Sequence, residues 1–298
     1  MFHNFDEMIQ FASKLETQRV ALVGAEDKEG LQALKKAQEM GIAEPLLVGD
    51  KDKTSQICKE IGLDCEIINA SNSVEAAEKG VKAVRNNNAQ ILMKGLVKTS
   101  VLLKAVLNKE WGLRKGELLS HLAVLDVPVL ERLIFVSDGG MVIKPDIKEK
   151  AAIINNAVNF MNNIGYDNVK AALLAAVEVI NEGMPETLDA AAISKMAQRG
   201  QIKNCEIDGP LALDNALSEM AAKVKKISGP VAGNADLLIV PDIHSGNILG
   251  KSAVYLADGT IAGIILGATV PIVIVSRADV ARSKLASLAL SAISAAKN

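Results

Sequence analysis

Asn234-Ala235-Asp236-Leu237-Leu238-Ile239-Val240-Pro241-Asp242-Ile243-His244-Ser245-Gly246-Asn247-Ile248-Leu249-Gly250-Lys251-Ser252 is the stretch that decides the fold class. Asp236 to Val240 is a short apolar run without alternation, as expected for a parallel strand covered on both faces. Pro241 has no N–H to give to a sheet, so the strand stops there. Asp242, His244, Ser245 and Asn247 follow at once, and a helix comes next. In an open α/β sheet this is the edge where ligands bind, and the free N–H groups of a helix start favour an anion there. The plain alternative is a polar turn with an N-cap. Several other strand-to-helix junctions in the chain share the same character, which favours a site.

Outward from this stretch the alternation continues. The N-terminal half reads as a helix over residues 5–16, then strands at Arg19–Val23, Pro45–Val48, Cys65–Ile68 and Ala89–Met93. Helices up to Met40, over 52–61 and over 73–86 lie between them. Crossovers of that length suit parallel pairing, and the pattern predicts a doubly wound sheet. Neither GxGxxG nor GxxxxGK[ST] occurs, so the nicotinamide fingerprint and the Walker loop are both missing. Met93-Lys94-Gly95-Leu96-Val97-Lys98-Thr99-Ser100 closes the fourth strand. Gly95 allows close backbone approach to a ligand, Thr99 or Ser100 can cap the next helix, and Lys94 and Lys98 bring positive charge. Two solvated lysines beside an ordinary cap are the alternative.

Residues 111–150 change character. Ser120–Leu125 and Leu133–Val136 read as strands close enough in sequence to pair antiparallel, followed by Ser137-Asp138-Gly139-Gly140. His121 is a candidate site residue, with a hydrogen-bonded core histidine as its plain alternative. After a helix over 147–164, the alternation resumes with a strand at Val169–Ala175, a helix over 185–198 and a strand at Cys205–Ile207. That strand ends in Asp208-Gly209-Pro210 and leads to a helix over 211–225. Asp208 is a candidate ligand contact or a simple turn former. The last strand, Pro271–Val275, runs into Ser276-Arg277-Ala278-Asp279 and a terminal helix to about Ala296. Arg277 has the side chain best shaped to grip phosphate with two parallel hydrogen bonds, and its alternative is a structural ion pair with Asp279 or another acid.

Composition supports this class. The chain has 298 residues, 49% hydrophobic and 23% charged, but only 3% aromatic. Abundant Ala, Val, Ile and Leu fit aliphatic parallel sheets under Ala-rich helices. A formal net charge of −2 gives no electrostatic reason to expect nucleic acid. Cys58, Cys65 and Cys205 have no metal-ligand spacing and suit a reducing compartment. Acidic residues stand where a signal peptide would be basic, and no apolar run reaches the ~18–20 residues of a membrane span. These features predict a cytoplasmic protein without a membrane partner.

Several motifs together resemble one family. They are Met93–Val97, Arg199-Gly200-Gln201-Ile202-Lys203, Asp208–Ala216, Gly233-Asn234-Ala235-Asp236 and Pro271–Asp279. In this order they are similar to the phosphate acetyl/butyryltransferases, nearest the butyryl branch. The resemblance implies a two-domain α/β fold related to the isocitrate/isopropylmalate dehydrogenases, with the active site in the interdomain cleft. It implies domain one over 1–137, completed by 280–298, and domain two over 138–279. It also implies the reaction acyl-CoA + phosphate ⇌ acyl phosphate + CoA, with CoA as substrate, no other cofactor, no metal, and a homodimer. By similarity Ser276 contacts the CoA sulfur and Arg277 stabilises transferring charge. Acetyl members carry a catalytic aspartate seven residues after that serine, where this chain has Ser283. The base is then Asp279, Asp242 or His244. Lys94, Gly95, Thr99, His121, Asp208, Asp242, His244, Ser245 and Asn247 are the candidate contacts for CoA, acyl group and phosphate. Acetyl transfer, a non-catalytic CoA- or phosphate-binding regulator, and a decarboxylating dehydrogenase of the same fold are the alternatives. The last would need paired metal-binding aspartates and a dinucleotide site, neither of which the sequence shows.

Overall fold

Val20, Ala21, Leu22 and Val23 are all fully buried, which is what an apolar run without alternation becomes when helices cover both faces of its sheet. The structure, a computed structural model, describes residues 2–116, 118–274 and 280–297. It divides into two compact units, Asn4–Glu117 with Ala262–Asn298, and Leu118–Ile261 with Met1–His3.

In the first of these units, α1 (Phe5–Ala12) precedes β1 (Gln18–Val23), α2 (Lys28–Glu39), β2 (Ala43–Gly49), α3 (Lys51–Ile61), β3 (Glu66–Asn69), α4 (Ser73–Arg85), β4 (Ile91–Lys94) and α5 (Thr99–Val106). The strands lie in the order β3-β2-β1-β4, all parallel. The reversed chain order outward from β1 is the doubly wound arrangement the alternation predicts.

The other unit contains β5 (Ser120–Asp126), β6 (Ile134–Ser137), α6 (Ile147–Asn163), β7 (Val169–Leu174), α7 (Pro185–Gln198) and β8 (Cys205–Leu211). After these come α8 (Leu213–Leu217), α9 (Glu219–Val224), β9 (Leu237–Ile239) and α10 (Ile243–Leu256). Its strand order is β5-β6-β9-β7-β8, antiparallel for β5–β6 and parallel for the rest. The chain then returns to the first unit through β10 (Thr260–Leu266), β11 (Ile272–Val273) and α11 (Ala281–Ala295). There β11 lies parallel to β4 and antiparallel to β10.

The unit boundaries fall earlier than residues 137 and 279. β5 pairs with β6, so the hairpin stays with the half that follows it. β10 pairs with β11 and β11 with β4, so the chain from Ala262 belongs with the N-terminal strands. α11 packs on α1 and α2. Its Lys284, 4% exposed, reaches the Glu29 carboxylate at 2.5 Å, which drives the Glu29 carboxyl below its ordinary value through that hydrogen bond. In the other unit Phe2 is held by the Tyr166 hydroxyl, and Lys150 pairs with Asp189 at 2.7 Å, joining α6 to α7.

Three local readings are corrected. The strand at Cys205 does not end before Asp208, because it runs on through Gly209 and Pro210 to Leu211 as the outer strand of its sheet, where a residue lacking an N–H is tolerated. Residues 211–225 are two short helices, since Ser218 is extended (φ −120°, ψ 116°) and its side chain caps α9 at Ala221. The helix over 5–16 stops at Ala12.

Candidate functional site

In the first unit, three parallel strands end side by side. Val23 of β1 stands opposite Lys94 of β4, and Met93 of β4 opposite Val273 of β11. Beyond them the chain turns tightly. Leu96 N–H donates to the Gly24 carbonyl at 2.7 Å, with Gly24 at φ +74°. A Cβ on Gly95 would lie 2.3 Å from the Gly24 oxygen. Gly95 is therefore needed for the approach of β4's turn to β1's turn. Gly95→Ala should cost roughly 2 kcal/mol, the usual scale of overpacking, and displace the Lys94 loop. A thermal melt showing no loss would sink that assignment.

Lys94 is half-buried and its ammonium donates to the carbonyls of Gly95 (3.1 Å) and Val97 (3.2 Å), so it is folded into its own loop. Thr99 does not cap α5. It is the first helical residue and exposed, and the N-cap is Lys98, which supplies no acceptor. α11 likewise begins after Val280 with no side-chain cap. Among the described residues no side chain caps α5 or α11, nor α2 at Asp27, and free N-terminal N–H groups are the ordinary setting for an anion. Ser276, Arg277 and Asp279 lie outside the described residues. Ser283 is 3% exposed in the first turn of α11.

In the other unit the cluster is built on β5, β6 and β9. β5 runs antiparallel to β6, so His121 near its start meets the end of β6. The His121 N–H donates to Asp138 Oδ2 (2.9 Å) and its carbonyl accepts from the Ser137 hydroxyl (2.7 Å). Its ring borders Gly140, where a Cβ would stand 2.9 Å from His121 Cγ. Asp138, 2% exposed, also accepts from the N–H groups of Gly140 and Met141, each at 2.8 Å. Gly139 backs directly onto Gly246 of α10. Ser137 pairs with Ile239 of β9, two residues before Pro241.

Asp242 is the N-cap of α10, accepting from Ser245 N–H (2.8 Å) and the Ser245 hydroxyl (2.9 Å). The Ser245 N–H is the main cause that holds its carboxyl below the ordinary value of 3.8. A group depressed in the folded state stabilises fully above its unfolded pKa and loses that contribution as pH falls through the folded one. Asp242→Ala should therefore cost about 1 kcal/mol at neutral pH, and the gap to the parent should close below about pH 4. A gap that persists in acid would rule out the charged cap. His244 and Asn247 are exposed, and Asn247 Nδ2 reaches the Gly139 carbonyl only at 3.5 Å.

Among the predicted contacts of this unit, His121, Asp242, His244, Ser245 and Asn247 come together at one strand edge. Asp208 does not join them. It sits within β8, separated from β9 by β7, and its carboxylate accepts the N–H of its neighbour Gly209. Sequence reasoning passed over Asp138, although an acid before two glycines and directly after a buried strand is a turn-holding signal. Among the described residues no three His, Cys, Asp or Glu side chains are placed to hold a metal ion. No helix among them is long and apolar enough to cross a membrane.

Two α/β units carrying uncapped helix starts, lysines, a histidine and acids at the ends of parallel strands define an anion-handling α/β enzyme class. The chain belongs to the phosphate acetyl/butaryl transferase family, which matches residues 59–292, and it is an acyltransferase. It is 49% identical to a probable phosphate butyryltransferase of Bacillus subtilis (strain 168), over 95% of each chain. It is 45% identical to the phosphate butyryltransferase of Clostridium acetobutylicum, over 98% of each chain. Its fold matches the crystal structure of a branched-chain phosphotransacylase from Enterococcus faecalis V583 with a TM-score of 0.83 and 31% identity, covering 94% of this chain and 99% of that one.

Proposed function

We propose that the protein converts a short, four-carbon or branched acyl-CoA and phosphate into the acyl phosphate and CoA, reversibly and by direct transfer. The observation that carries the acyl preference is near-full-length identity to two proteins named for butyryl transfer, alongside the fold match to one named for branched-chain substrates. An oxygen of hydrogen phosphate attacks the thioester carbonyl, the tetrahedral intermediate collapses, and the C–S bond breaks to release CoA thiolate, which takes up the proton that the phosphate gives up.

Arg277 grips phosphate and offsets the charge developing on the carbonyl oxygen, with the α5 and α11 N–H groups as further donors. Ser276 hydrogen-bonds the CoA sulfur. Lys94, Gly95 and Thr99 shape the phosphate end, while His121, Asp242, His244, Ser245 and Asn247 form a second polar set for substrate. Asp208, within β8 and apart from that set, is a separate candidate contact. Asp279, the carboxylate closest to Arg277 in the sequence, acts as base toward the CoA thiol when CoA attacks the acyl phosphate. The chain's own thiols are poorly suited to a covalent intermediate. Burial pushes Cys65 up to about 12 and Cys205 up to about 11, so little nucleophilic thiolate is present at neutral pH. The reading includes a homodimer in the cytoplasm, needing no cofactor beyond CoA itself.

The test is thiol release from acetyl-, butyryl- and isobutyryl-CoA, each with and without phosphate. Phosphate-dependent release fastest with a four-carbon chain supports the reading. Fastest release from acetyl-CoA would move the protein to acetyl transfer, and none from any of the three would end the transacylase reading in favour of a CoA- or phosphate-binding regulator.

A further inference from the structure

Beyond β7, in the same unit as His121 and Asp242, the chain carries a polar cluster that the reaction as described leaves unused. The N–H of Ala175 donates to the Leu211 carbonyl (2.9 Å), so the segment after β7 starts out beside the end of β8. Glu178 then receives two donors. Asn215 Nδ2 approaches Glu178 Oε2 at 3.4 Å, and Lys225 Nζ does so at 3.2 Å while also bridging to Asp214 at 3.2 Å. Asn215 is fully buried, and its Oδ1 has no hydrogen-bond partner. Turning the amide over would set its oxygen against the carboxylate, so Nδ2 faces Glu178 although Oδ1 is left without a donor. A buried acceptor left unmade is costly, and here the amide is aimed at one carboxylate.

Glu178 itself is accessible, with 27% of its side chain exposed. It is followed directly by Val179 and Ile180, 61% and 63% exposed, and Leu213 at the start of α8 is 41% exposed. A carboxylate repels phosphate and accepts N–H donors. Adjacent exposed aliphatic side chains suit an apolar partner. CoA contains one stretch with both properties and no charge, the distal amide of its pantetheine arm beside the gem-dimethyl carbon. β7, from which the segment leaves, is the direct neighbour of β9, with Leu173 opposite Ile239, so Glu178 and Asp242 follow adjacent strands.

We propose that Glu178, oriented by Asn215 and Lys225, accepts the distal amide N–H of the pantetheine arm of acyl-CoA, with Val179 and Ile180 against the gem-dimethyl group. This rests on the acyl-CoA reading above. Glu178 is a binding residue and Asn215 a positioning residue.

Three butyryl thioesters test it: those of CoA, of pantetheine, and of N-acetylcysteamine, which lacks the distal amide and the gem-dimethyl group. Glu178→Ala should raise KM for the first two about tenfold, the scale of a hydrogen bond to a charged group, with kcat within about twofold and the third substrate unaffected. Glu178→Gln keeps an acceptor and should raise KM less. Asn215→Ala should move KM the same way, and add nothing in the Glu178→Ala background. Unchanged KM for CoA in Glu178→Ala, or an equal rise for all three thioesters, would overturn the proposal. Calorimetric titration with CoA reads the same contact without turnover, so it separates failure of the contact from failure of the transacylase reading. Affinity for CoA should fall about tenfold in Glu178→Ala, and equal affinity of parent and variant would refute the contact even in a protein that turns nothing over.

Discussion

Arg277→Ala lowers phosphate-dependent release of CoA from butyryl-CoA by at least ~10²-fold, with the thermal transition and the far-ultraviolet spectrum unchanged. The size follows from the role proposed for the guanidinium. Thioester and phosphate meet in a tetrahedral intermediate whose former carbonyl oxygen carries new negative charge beside an already charged phosphate. A guanidinium offers five N–H donors in a rigid fork and loses no proton at any working pH, so in the proposed role it would hold phosphate by two bonds and still offset charge on the oxyanion. Alanine removes both contributions, and helix N–H groups with lysines remain as the weaker set. Arg277→Lys should restore only part of the loss, since a point charge cannot make the paired contact. If Arg277→Ala turned over within a few-fold of the parent, the arginine would have no part in charge stabilisation, and the ion pair with Asp279 would be its role.

The fold was legible where apolar periodicity dominates. β1, β2, β4 and β9 are buried on both faces, and an uninterrupted apolar run is the direct consequence. Helices such as α7 announce themselves at both ends, with Pro185 at its first position and Arg199-Gly200 at its close. What failed depends on chemistry that composition does not encode. Pro210 argued for a strand end, but an outer strand has one side on which no N–H is required, so β8 passes through it. Gly95 makes its close approach to the backbone of Gly24, seventy-one residues earlier in the chain, and no local pattern forecasts that meeting. Thr99 has a capping side chain but falls one position too late to cap. At Asp242 the plain alternative of an N-capped polar turn is what the structure shows, at the strand edge that gathers His121 and Asn247. The residues of the Glu178 cluster lie thirty-seven and forty-seven positions apart, too far for any sequence window to join them.

Asp138→Ala should destabilise the protein by roughly 3 kcal/mol, lowering Tm by about 6–10 °C. The carboxylate is 2% exposed and accepts three backbone N–H groups, from His121, Gly140 and Met141. A charged acceptor strengthens each bond, and deletion leaves donors in a partly buried turn with nothing to meet, the expensive direction of the asymmetry between making and losing such bonds. The consequence extends past the turn. Gly139 sits against Gly246, so the turn that Asp138 shapes is the surface on which the first turn of α10 rests, and that turn carries His244 and Ser245, with Asn247 directly after it. Asp138→Asn is the discriminating variant. Its oxygen can still accept from Gly140 and Met141, but its amide would face the His121 N–H donor to donor, so roughly half of the loss should remain. Asparagine and alanine costing the same would show that charge or shape governs the site and not the three bonds. A loss in neither variant would mean the turn is held from α10, through the Gly139–Gly246 contact, and the direction of support between strand edge and helix would have to be reversed.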